Sequence, residues 1–528
     1  MLNMETKTLN SKWVLAIIIF LITLILRAPA FWTPILDVDE AQFAGYADAL
    51  LSGGLPYVSS VDTKPLGIYY FFAAIFALFG RNNMLAVHLA TAVVVAITAL
   101  YCYYIAKKLF SERAGIFAAF FYAVFSTTYI PKFISTSIVV VMMLPLTMAV
   151  YYLISWNRDK AWWRPLLAGA LLALSFLFKY QAGITYALAG FYLLFFSKIY
   201  DRKTFYLANI KCFIIFLAGS FLIGLLFILH LYHLGVLNEF YFWSLRGSFS
   251  YIEAGRSTVD FLKTFLIRGG SFVASTFLIW FFGLRYMSKL IWSKHPVEQY
   301  WVLFWFLFNL IPVCMGGRFF GHYFIQLLPP LVILAAADAD LFVIWLQNNE
   351  IKFRQKLAYT LFVIGIFLPA VGFFGARLAA DQIYAAIGEE NPKHYQQIAQ
   401  YIKDNTKPDD TIFVWGFATP IYFYSDRYAA SRFLWCDWLT GRVSGSPTAK
   451  DVNFDTSQFV TPGSWQKFFE DLEKNKPAYF IDTSPGNYHD YIKYPVAKYP
   501  QLKDYLTDNY YIEREDLGIA FYKRKNNS

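Results

Sequence analysis

The sequence predicts a polytopic α-helical membrane protein with a C-terminal soluble α/β domain. Of the 528 residues, 57% are hydrophobic and 16% are charged, whereas soluble domains carry about a quarter charged residues. Apolar runs long enough to cross a bilayer, which takes about 20 residues, recur until about Gly375 and then stop. Short helix and strand patterns alternate after that point. These observations exclude a cytosolic enzyme, a disordered protein and a disulfide scaffold.

The apolar runs predict about eleven transmembrane helices. The first shows no small-residue cleavage site after its apolar run, so we interpret it as a retained span rather than a signal peptide. Leu66–Phe79 is apolar but short, and we interpret it as lying in the membrane interface. The predicted spans are 13–31, 84–106, 114–131, 138–156, 165–179, 183–200, 210–233, 263–286, 299–314, 323–346 and 358–376.

The positive charges lie in short clusters between the spans, among them Lys107, Lys108 and Arg113 and, later in the chain, Arg285, Lys289 and Lys294. The formal net charge of +10 therefore reflects the membrane topology of the chain and does not predict a nucleic-acid partner. With Leu66–Phe79 outside the span count, the clusters fall on one side, which the positive-inside rule assigns to the cytoplasm. The loops 37–64, 132–137, 179–181, 234–263 and 316–322 and the tail then share the outer face.

Two domains follow from this pattern: a membrane domain at 1–376 and an extracytoplasmic α/β domain at 377–528. The tail begins with a helix pattern at 392–402, followed by a buried-strand pattern at 411–416 that ends at a glycine. A second helix and strand follow at 465–474 and 478–482, and 510–513 with 518–523 predicts a hairpin. Alternating helices and strands predict one small α/β core.

Three carboxylates stand where the chain leaves the first span, at Asp37, Asp39 and Glu40. Clustered carboxylates at a bilayer boundary suit a general base or a divalent-cation site, with Mg²⁺ or Mn²⁺ on Asp37 and Asp39. The alternative interpretation is a solvated acidic helix start, because acids favour first turns. Lys64, before Pro65, closes the same loop and is either an interfacial anchor or the partner of an anion.

Further cations stand on the predicted outer face. Lys179, beside Gln181, occupies a short outer turn against the charge rule, which an anionic ligand would explain. The run from Gly316 to Tyr323 combines glycines, which permit close backbone approach, with Arg318 and His322, which suit a phosphate. Arg256 lies in another outer loop.

An acidic cluster and several cations on one face match glycosyl transfer from a polyprenyl-phosphate sugar. A base activates an acceptor hydroxyl, and cations stabilise the departing phosphate. No GxxxxGK[ST] loop that would indicate ATP use is present.

The ordered motifs Asp39-Glu40, Lys64-Pro65 and Gly317–Tyr323 resemble bacterial GT-C glycosyltransferases. The resemblance is to the dolichyl-phosphate-mannose-protein mannosyltransferase-like branch, which includes relatives of the lipid A aminoarabinose transferase. It implies interfacial juxtamembrane helices, a catalytic or metal-associated Asp39 supported by Glu40, and a lipid-phosphate site at Lys64, Arg318 and His322. The wider predicted binding set adds Lys179, Gln181, Tyr323 and Arg256.

One departure from the family pattern leaves alternatives open. The turn at 132–139 carries no acid, where such proteins usually have a second carboxylate. Despite this departure, the resemblance implies a hexosyl- or pentosyltransferase of the bacterial inner membrane, with its active site on the periplasmic side and a lipid, glycan or protein acceptor. A lipid-linked-sugar flippase and a non-catalytic donor-binding subunit are the alternatives.

Overall fold

The structure, a computed structural model, describes residues 2–128, 134–159, 161–196, 205–247, 258–348, 352–379 and 392–525. The chain divides into two compact units, each assembled from three separate segments. We call the first the helical unit; it comprises Met1–Leu36, Met84–His230 and Leu262–Leu378. We call the second the mixed unit; it comprises Asp37–Asn83, Leu231–Phe261 and Ala379–Ser528.

This division differs from the two consecutive domains that the sequence predicts. The predicted boundary after residue 376 lies next to the last junction between the units, at Leu378 and Ala379. Two earlier segments, which the sequence analysis assigned to the membrane domain, nevertheless join the tail in the mixed unit. Both are loops that the charge pattern predicts on the outer face, as it does the tail.

The helical unit is built from long apolar helices. Among the described residues, seven helices are long and apolar enough to cross a membrane, and counting the pair Val259–Ser275 and Phe277–Trp292, bent by 95°, as one span gives eight. These eight correspond to eight of the eleven predicted spans. The other three predicted spans, at 114–131, 165–179 and 183–200, correspond to helices of 14, 16 and 13 residues, Glu112–Phe125, Trp163–Phe178 and Gly183–Phe195. The other helices that contribute to this unit are Leu2–Arg27, Met84–Leu109, Ile138–Asp159, Phe205–His233, Thr258–Thr264, Gly270–Ser275, Phe277–Trp292, Val297–Cys314, Leu328–Asn348 and Lys352–Leu378.

Positive residues from two predicted clusters meet at one end of the helical unit. The Arg113 guanidinium donates to Asp340, and the Lys289 ammonium lies 2.5 Å from Asp338 Oδ1. Both acids belong to helix Leu328–Asn348. The clusters around Arg113 and Lys289 therefore share one end, as the charge pattern predicts.

Two helices of this unit pack closely through glycines. A Cβ on Gly169 would lie 1.9 Å from the carbonyl oxygen of Phe216, and one on Gly219 would lie 1.9 Å from that of Leu166. Small residues that let helix backbones approach are typical of helix contacts in membranes.

The mixed unit contains a five-stranded sheet formed by the tail. Its strands are β1 (Thr411–Trp415), β2 (Tyr428–Ala429), β3 (Tyr479–Asp482), β4 (Tyr510–Asp516) and β5 (Ile519–Arg524), in the order β2-β1-β3-β5-β4. β1 pairs in parallel with β2 and β3, and β5 pairs antiparallel with β3 and β4. Its α-helices include Val38–Leu51, Gly67–Phe79, Leu237–Glu239, Pro392–Asp404, Pro420–Ser425, Asp437–Thr440, Pro447–Lys450, Ser464–Asn475 and Pro500–Asn509.

The predicted elements of the tail are confirmed. Helix Pro392–Asp404 precedes β1, helix Ser464–Asn475 precedes β3, and β4 and β5 form the predicted hairpin. Phe413, Trp415 and Phe480 are fully buried in the core between sheet and helices.

Hydrogen bonds and ion pairs join the first loop to the tail within the mixed unit. The Thr419 hydroxyl donates to the carbonyl oxygen of Val38 at 3.0 Å. The Arg81 guanidinium forms a fork on Asp48, at 2.6 and 2.7 Å, and also donates to Asp426 at 2.8 Å. Such bidentate pairs fix geometry as well as adding energy.

Candidate functional site

The predicted site residues are distributed over both compact units, and each group is described within its own unit. Asp37, Asp39, Glu40 and Lys64 belong to the mixed unit. Lys179, Gln181, Arg318, His322 and Tyr323 belong to the helical unit. Arg256 lies outside the described residues.

The acidic cluster forms the start of helix Val38–Leu51. Asp37 is the N-cap in extended conformation, and its Oδ1 accepts the backbone N–H of Asp39 at 3.0 Å. Asp39 and Glu40 follow in the first turn, where the helix dipole favours negative charge. Glu40 is 1% exposed, whereas Asp39 is half-buried. Asp37 thus has the capping role of the alternative interpretation, and its catalytic role stays a prediction.

Asp62 is the centre of a hydrogen-bond network beside this helix. Its Oδ2 accepts the Lys64 ammonium at 2.8 Å, the Gln42 amide at 3.1 Å and the Tyr69 hydroxyl. Its Oδ1 accepts the backbone N–H of Thr63 at 2.6 Å. Asp62 is only 1% exposed, and buried carboxylates require partners of this kind.

The Lys64 ammonium lies among a carboxylate and two aromatic rings. Besides Asp62, it lies 5.8 Å from the centroid of the Phe43 ring and 5.7 Å from that of Trp435. Both distances fall within the range of cation–π attraction. Phe43 belongs to the helix that carries Asp39, and Trp435 belongs to the tail.

Three tyrosines support the backbone around Lys64. The Tyr57 hydroxyl donates to the carbonyl oxygen of Lys64 at 2.9 Å, and the Tyr57 N–H donates to the Tyr46 hydroxyl at 2.8 Å. The Tyr46 and Tyr69 rings stack with centroids 3.8 Å apart. All three side chains are fully buried, so the loop that ends at Lys64 is anchored by packing.

The acidic helix start does not by itself supply a three-ligand metal site. Within the part of the chain that the structure describes, no group of three or more His, Cys, Asp or Glu residues is arranged to hold a metal ion. The Asp37 carboxylate is in addition engaged as a cap. The divalent cation at Asp37 and Asp39 stays a prediction, and no step below depends on it.

In the helical unit, the Gly316–Tyr323 motif joins the 3-10 helix Met315–Gly317 to the 3-10 helix Gly321–Leu327. Gly316 and Gly317 have φ of 71° and 60°, a region that favours glycine. Phe319 also has a positive φ, 49°, which for a bulky residue is a strained conformation. Arg318 between them is completely buried, and its carbonyl oxygen accepts the Arg268 guanidinium at 3.1 Å.

This motif contacts Lys179. The Lys179 ammonium lies 4.0 Å from the centroid of the Tyr323 ring, a close cation–π distance. The His322 ring meets the Tyr323 ring edge to face at 4.8 Å. Gln181 donates to the carbonyl oxygen of Pro312 at 2.9 Å. Lys179, His322 and Tyr323 are therefore brought together, whereas Gln181 contacts the last turn of helix Val297–Cys314.

The turn without a second acid is partly described, since residues 129–133 lie outside the described ranges. In the described part, Ser135, Thr136 and Ser137 are buried. The Thr136 and Thr91 hydroxyls lie 2.9 Å apart, and the Arg27 guanidinium donates to the carbonyl oxygen of Ile134 at 2.5 Å. Hydroxyls therefore occupy the buried part of this turn.

Sequence reasoning did not assign roles to Asp62, Trp435 or Asp437. Asp62 stands two residues before Lys64, so its position in the motif was a usable signal. Trp435 and Asp437 had no such signal, because they meet the Lys64 region only through the fold.

Asp437 accepts the Arg442 guanidinium at 3.1 Å and the Tyr491 hydroxyl at 2.7 Å. Burial raises the pKa of Asp437, although the positive charges of Arg442 and Lys64 oppose that change.

Comparisons with known proteins agree with this architecture. Residues 63–234 match the sequence profile of the family Dolichyl-phosphate-mannose-protein mannosyltransferase. A comparison with curated proteins gives no significant match.

Solved structures match over nearly the whole chain. ArnT from Cupriavidus metallidurans bound to undecaprenyl phosphate aligns with a TM-score of 0.57 at 14% identity, covering 98% of this chain and 99% of that one. The oligosaccharyltransferase AglB from Archaeoglobus fulgidus, in complex with an inhibitory peptide and a dolichol-phosphate, aligns with a TM-score of 0.53 at 12% identity, covering 97% and 74%.

The predicted resemblance is thereby confirmed. At these identities the structures establish the fold, and the sequence profile connects residues 63–234 with one family. The chain has the GT-C fold of ArnT and AglB and is similar, over residues 63–234, to the dolichyl-phosphate-mannose-protein mannosyltransferases.

Proposed function

We propose that this protein is a membrane glycosyltransferase that moves a sugar from a polyprenyl-phosphate donor to an acceptor hydroxyl. The observation that carries the proposal is the hydrogen-bonded connection, through Gln42 and Asp62, between the helix that carries Asp39 and Lys64. Gln42 lies three residues after Asp39, so the two side chains are neighbours on one helix face. Gln42 donates to Asp62, and Asp62 accepts Lys64. The helix that carries the Asp39 carboxylate and the Lys64 ammonium are thus connected within one compact unit.

The proposed chemistry assigns one role to Asp39 and another to Lys64. The Asp39 carboxylate accepts the proton of the acceptor hydroxyl as that oxygen attacks the anomeric carbon from the face opposite the phosphate. The bond between the anomeric carbon and the phosphate oxygen breaks, and polyprenyl phosphate departs with the electron pair. The Lys64 ammonium, which has three N–H donors, stabilises the phosphate charge.

The donor class is supported by the ligands of the similar structures. ArnT is bound to undecaprenyl phosphate and AglB to a dolichol-phosphate. Both are polyprenyl phosphates, whose isoprenoid tails suit the long apolar helices of the helical unit. Within the helical unit, we propose on the same grounds that Lys179, Arg318, His322 and Tyr323 bind a lipid-linked substrate.

We further propose that the reaction takes place on the extracytoplasmic face of a bacterial inner membrane. The charge pattern predicts two loops and the tail on that face. These segments contribute to one compact unit, which supports the proposal. The transferred sugar is a hexose or pentose, and the acceptor is a hydroxyl of a lipid, glycan or protein.

The deciding experiment measures sugar transfer by the purified protein in lipid nanodiscs. A panel of radiolabelled undecaprenyl-phosphate hexoses and pentoses is supplied with lipid A, glycan and peptide acceptors, with and without a chelator. Wild type is compared with Asp39→Asn and with a control, Asp409→Asn, whose acid is exposed in a turn of the tail. We expect transfer in wild type and in the control, and at least a hundredfold loss in Asp39→Asn with unchanged binding of undecaprenyl phosphate.

The absence of an acid in the turn at 132–139 favours one alternative, a subunit that binds donor without transferring it. Binding of undecaprenyl-phosphate sugars without turnover in any pairing would support that alternative and contradict the proposal. Movement of a fluorescent undecaprenyl-phosphate sugar between leaflets of a proteoliposome, without transfer, would instead support a flippase.

A further inference from the structure

A loop of the tail is attached to the segment that carries Lys64. The backbone N–H of Val61 donates to the carbonyl oxygen of Arg432 at 3.1 Å. Three residues after Arg432, the Trp435 ring lies 5.7 Å from the Lys64 ammonium. Both partners of each contact belong to the mixed unit, although they are distant in the chain.

Trp435 contributes to the surroundings of the Lys64 ammonium. Asp62 attracts the ammonium by charge, and the Phe43 ring, at 5.8 Å, comes from the helix that carries Asp39. Trp435 is the tail's contribution to this set. A lysine side chain loses considerable conformational entropy when it is fixed, so each contact that restricts Lys64 before a ligand arrives reduces the cost of binding.

Trp435 is itself held firmly by the tail. Its side chain is 5% exposed, and its ring meets Phe417 edge to face at 6.0 Å. The next residue, Cys436, donates its backbone N–H to the carbonyl oxygen of Gly416, directly after β1, at 3.1 Å. On the other side, the Arg432 guanidinium forms a fork on Asp471 at 2.9 and 2.8 Å. The position of the ring is therefore set by the sheet and by helix Ser464–Asn475.

We propose that Trp435 is a positioning residue that holds the Lys64 ammonium in place for the phosphate of a polyprenyl-phosphate donor. This inference rests on the proposed function, which it deepens by giving the tail a part in donor binding. The tail then contributes to the phosphate site.

The test compares Trp435→Leu and Trp435→Phe with a matched control, Trp438→Phe. Trp438 lies 6.0 Å from Trp435 in the same aromatic cluster. The probe is undecaprenyl phosphate, with its dissociation constant measured on the full-length protein in nanodiscs. We expect about tenfold weaker binding for Trp435→Leu, the order of a partly desolvated cation–π contact. Trp435→Phe is expected to retain most of the wild-type affinity, and Trp438→Phe is expected to bind as wild type does.

A double-mutant cycle separates positioning from a general structural effect. If Trp435 acts through Lys64, then Trp435→Leu weakens binding in wild type and adds nothing in a Lys64→Met background. An equal loss in both backgrounds, or no loss in either, overturns the proposal. With an active donor, Trp435→Leu is also expected to raise KM for the donor with little change in kcat.

This experiment also distinguishes the inference from the proposed function. If the protein binds undecaprenyl phosphate but transfers no sugar, the proposed transfer fails while the binding cycle still decides the role of Trp435. If undecaprenyl phosphate does not bind, the role proposed for Trp435 is wrong.

Discussion

The Lys64 ammonium lies 2.8 Å from the Oδ2 atom of Asp62, and the same oxygen accepts the Gln42 amide from the helix that begins with the acidic cluster. The contact relates a predicted phosphate-binding cation to a carboxylate that is almost completely buried. The hydrogen bond to Asp62 therefore helps to fix the position of the Lys64 ammonium.

We predict that Asp62→Asn lowers both the free energy of unfolding and the affinity for the donor. An asparagine keeps the size of the side chain but removes the charge that pairs with Lys64 and one of the two acceptor oxygens. The cost is about 2 kcal/mol, since hydrogen bonds to charged groups contribute roughly 1.5–3 kcal/mol. The measurements are thermal unfolding of the full-length protein in detergent and its affinity for undecaprenyl phosphate. Asp504→Asn, at an exposed tail position, is the control, and equal behaviour of the two variants would contradict the prediction.

The capping role of Asp37 predicts different effects for two substitutions. Asp37→Ala removes the acceptor for the Asp39 N–H and should lower the free energy of unfolding by about 1 kcal/mol. Asp37→Asn keeps a good N-cap and should retain wild-type stability. Thermal unfolding and sugar transfer are measured on both variants. Loss of transfer in Asp37→Asn with an unchanged melting temperature would show that Asp37 does more than cap the helix.

For the pair Lys179 and Tyr323, we predict that the aromatic ring matters more than the tyrosine hydroxyl. Tyr323→Leu removes the ring below the ammonium and should weaken binding of undecaprenyl phosphate about three- to tenfold, whereas Tyr323→Phe keeps the ring and should remain close to wild type. Lys179→Met should weaken binding at least as much as Tyr323→Leu. The exposed Lys356 provides the control, Lys356→Met. A larger loss in Tyr323→Phe than in Tyr323→Leu would refute the cation–π explanation.

The carboxyl group of Asp482, at the end of β3, predicts that the tail becomes less stable as pH rises. Burial raises its pKa from 3.8 to about 6, opposed by the hydrogen bond from the Ser484 N–H. Between these values the folded chain binds the proton more tightly than the unfolded chain, so stability falls as pH rises from about 4 to 6 and stays lower above 6. The difference is on the order of 2–3 kcal/mol.

Hydrogen exchange of β1 and β3 in the full-length protein tests this prediction between pH 4.5 and 7.5, after correction for intrinsic exchange rates. Protection should be greater at the acidic end in wild type, and Asp482→Asn should remove most of this dependence. Asp504→Asn, at an exposed position, should behave as wild type. A dependence that persists unchanged in Asp482→Asn would assign it to another group.

The fold was predictable where its signals are local. Hydropathy over about 20 residues located eight helices of the right length, and helix and strand patterns located β1, β3 and the terminal hairpin. Two predicted spans show the limit of this reasoning. The predictions at 114–131 and 183–200 continue past the ends of helices Glu112–Phe125 and Gly183–Phe195, because hydropathy does not indicate where a helix gives way to a turn.

The candidate site was predictable only in part, for the same reason. Asp39, Lys64 and Arg318 stand in compact motifs, so the chemistry of neighbouring residues points to them. Asp37 was ambiguous between catalysis and capping, and only its hydrogen bond to the Asp39 N–H shows the cap.

The sequence by itself determined that this is a multi-helical membrane protein with an α/β tail, because hydropathy and side-chain periodicity are properties of contiguous residues. Only the tertiary structure decided that the first loop, the segment Leu231–Phe261 and the tail form one unit. It also decided that Trp435 meets Lys64 and that Gln42 meets Asp62. Contacts of this kind depend on how distant segments pack, and no local pattern in either segment records its partner.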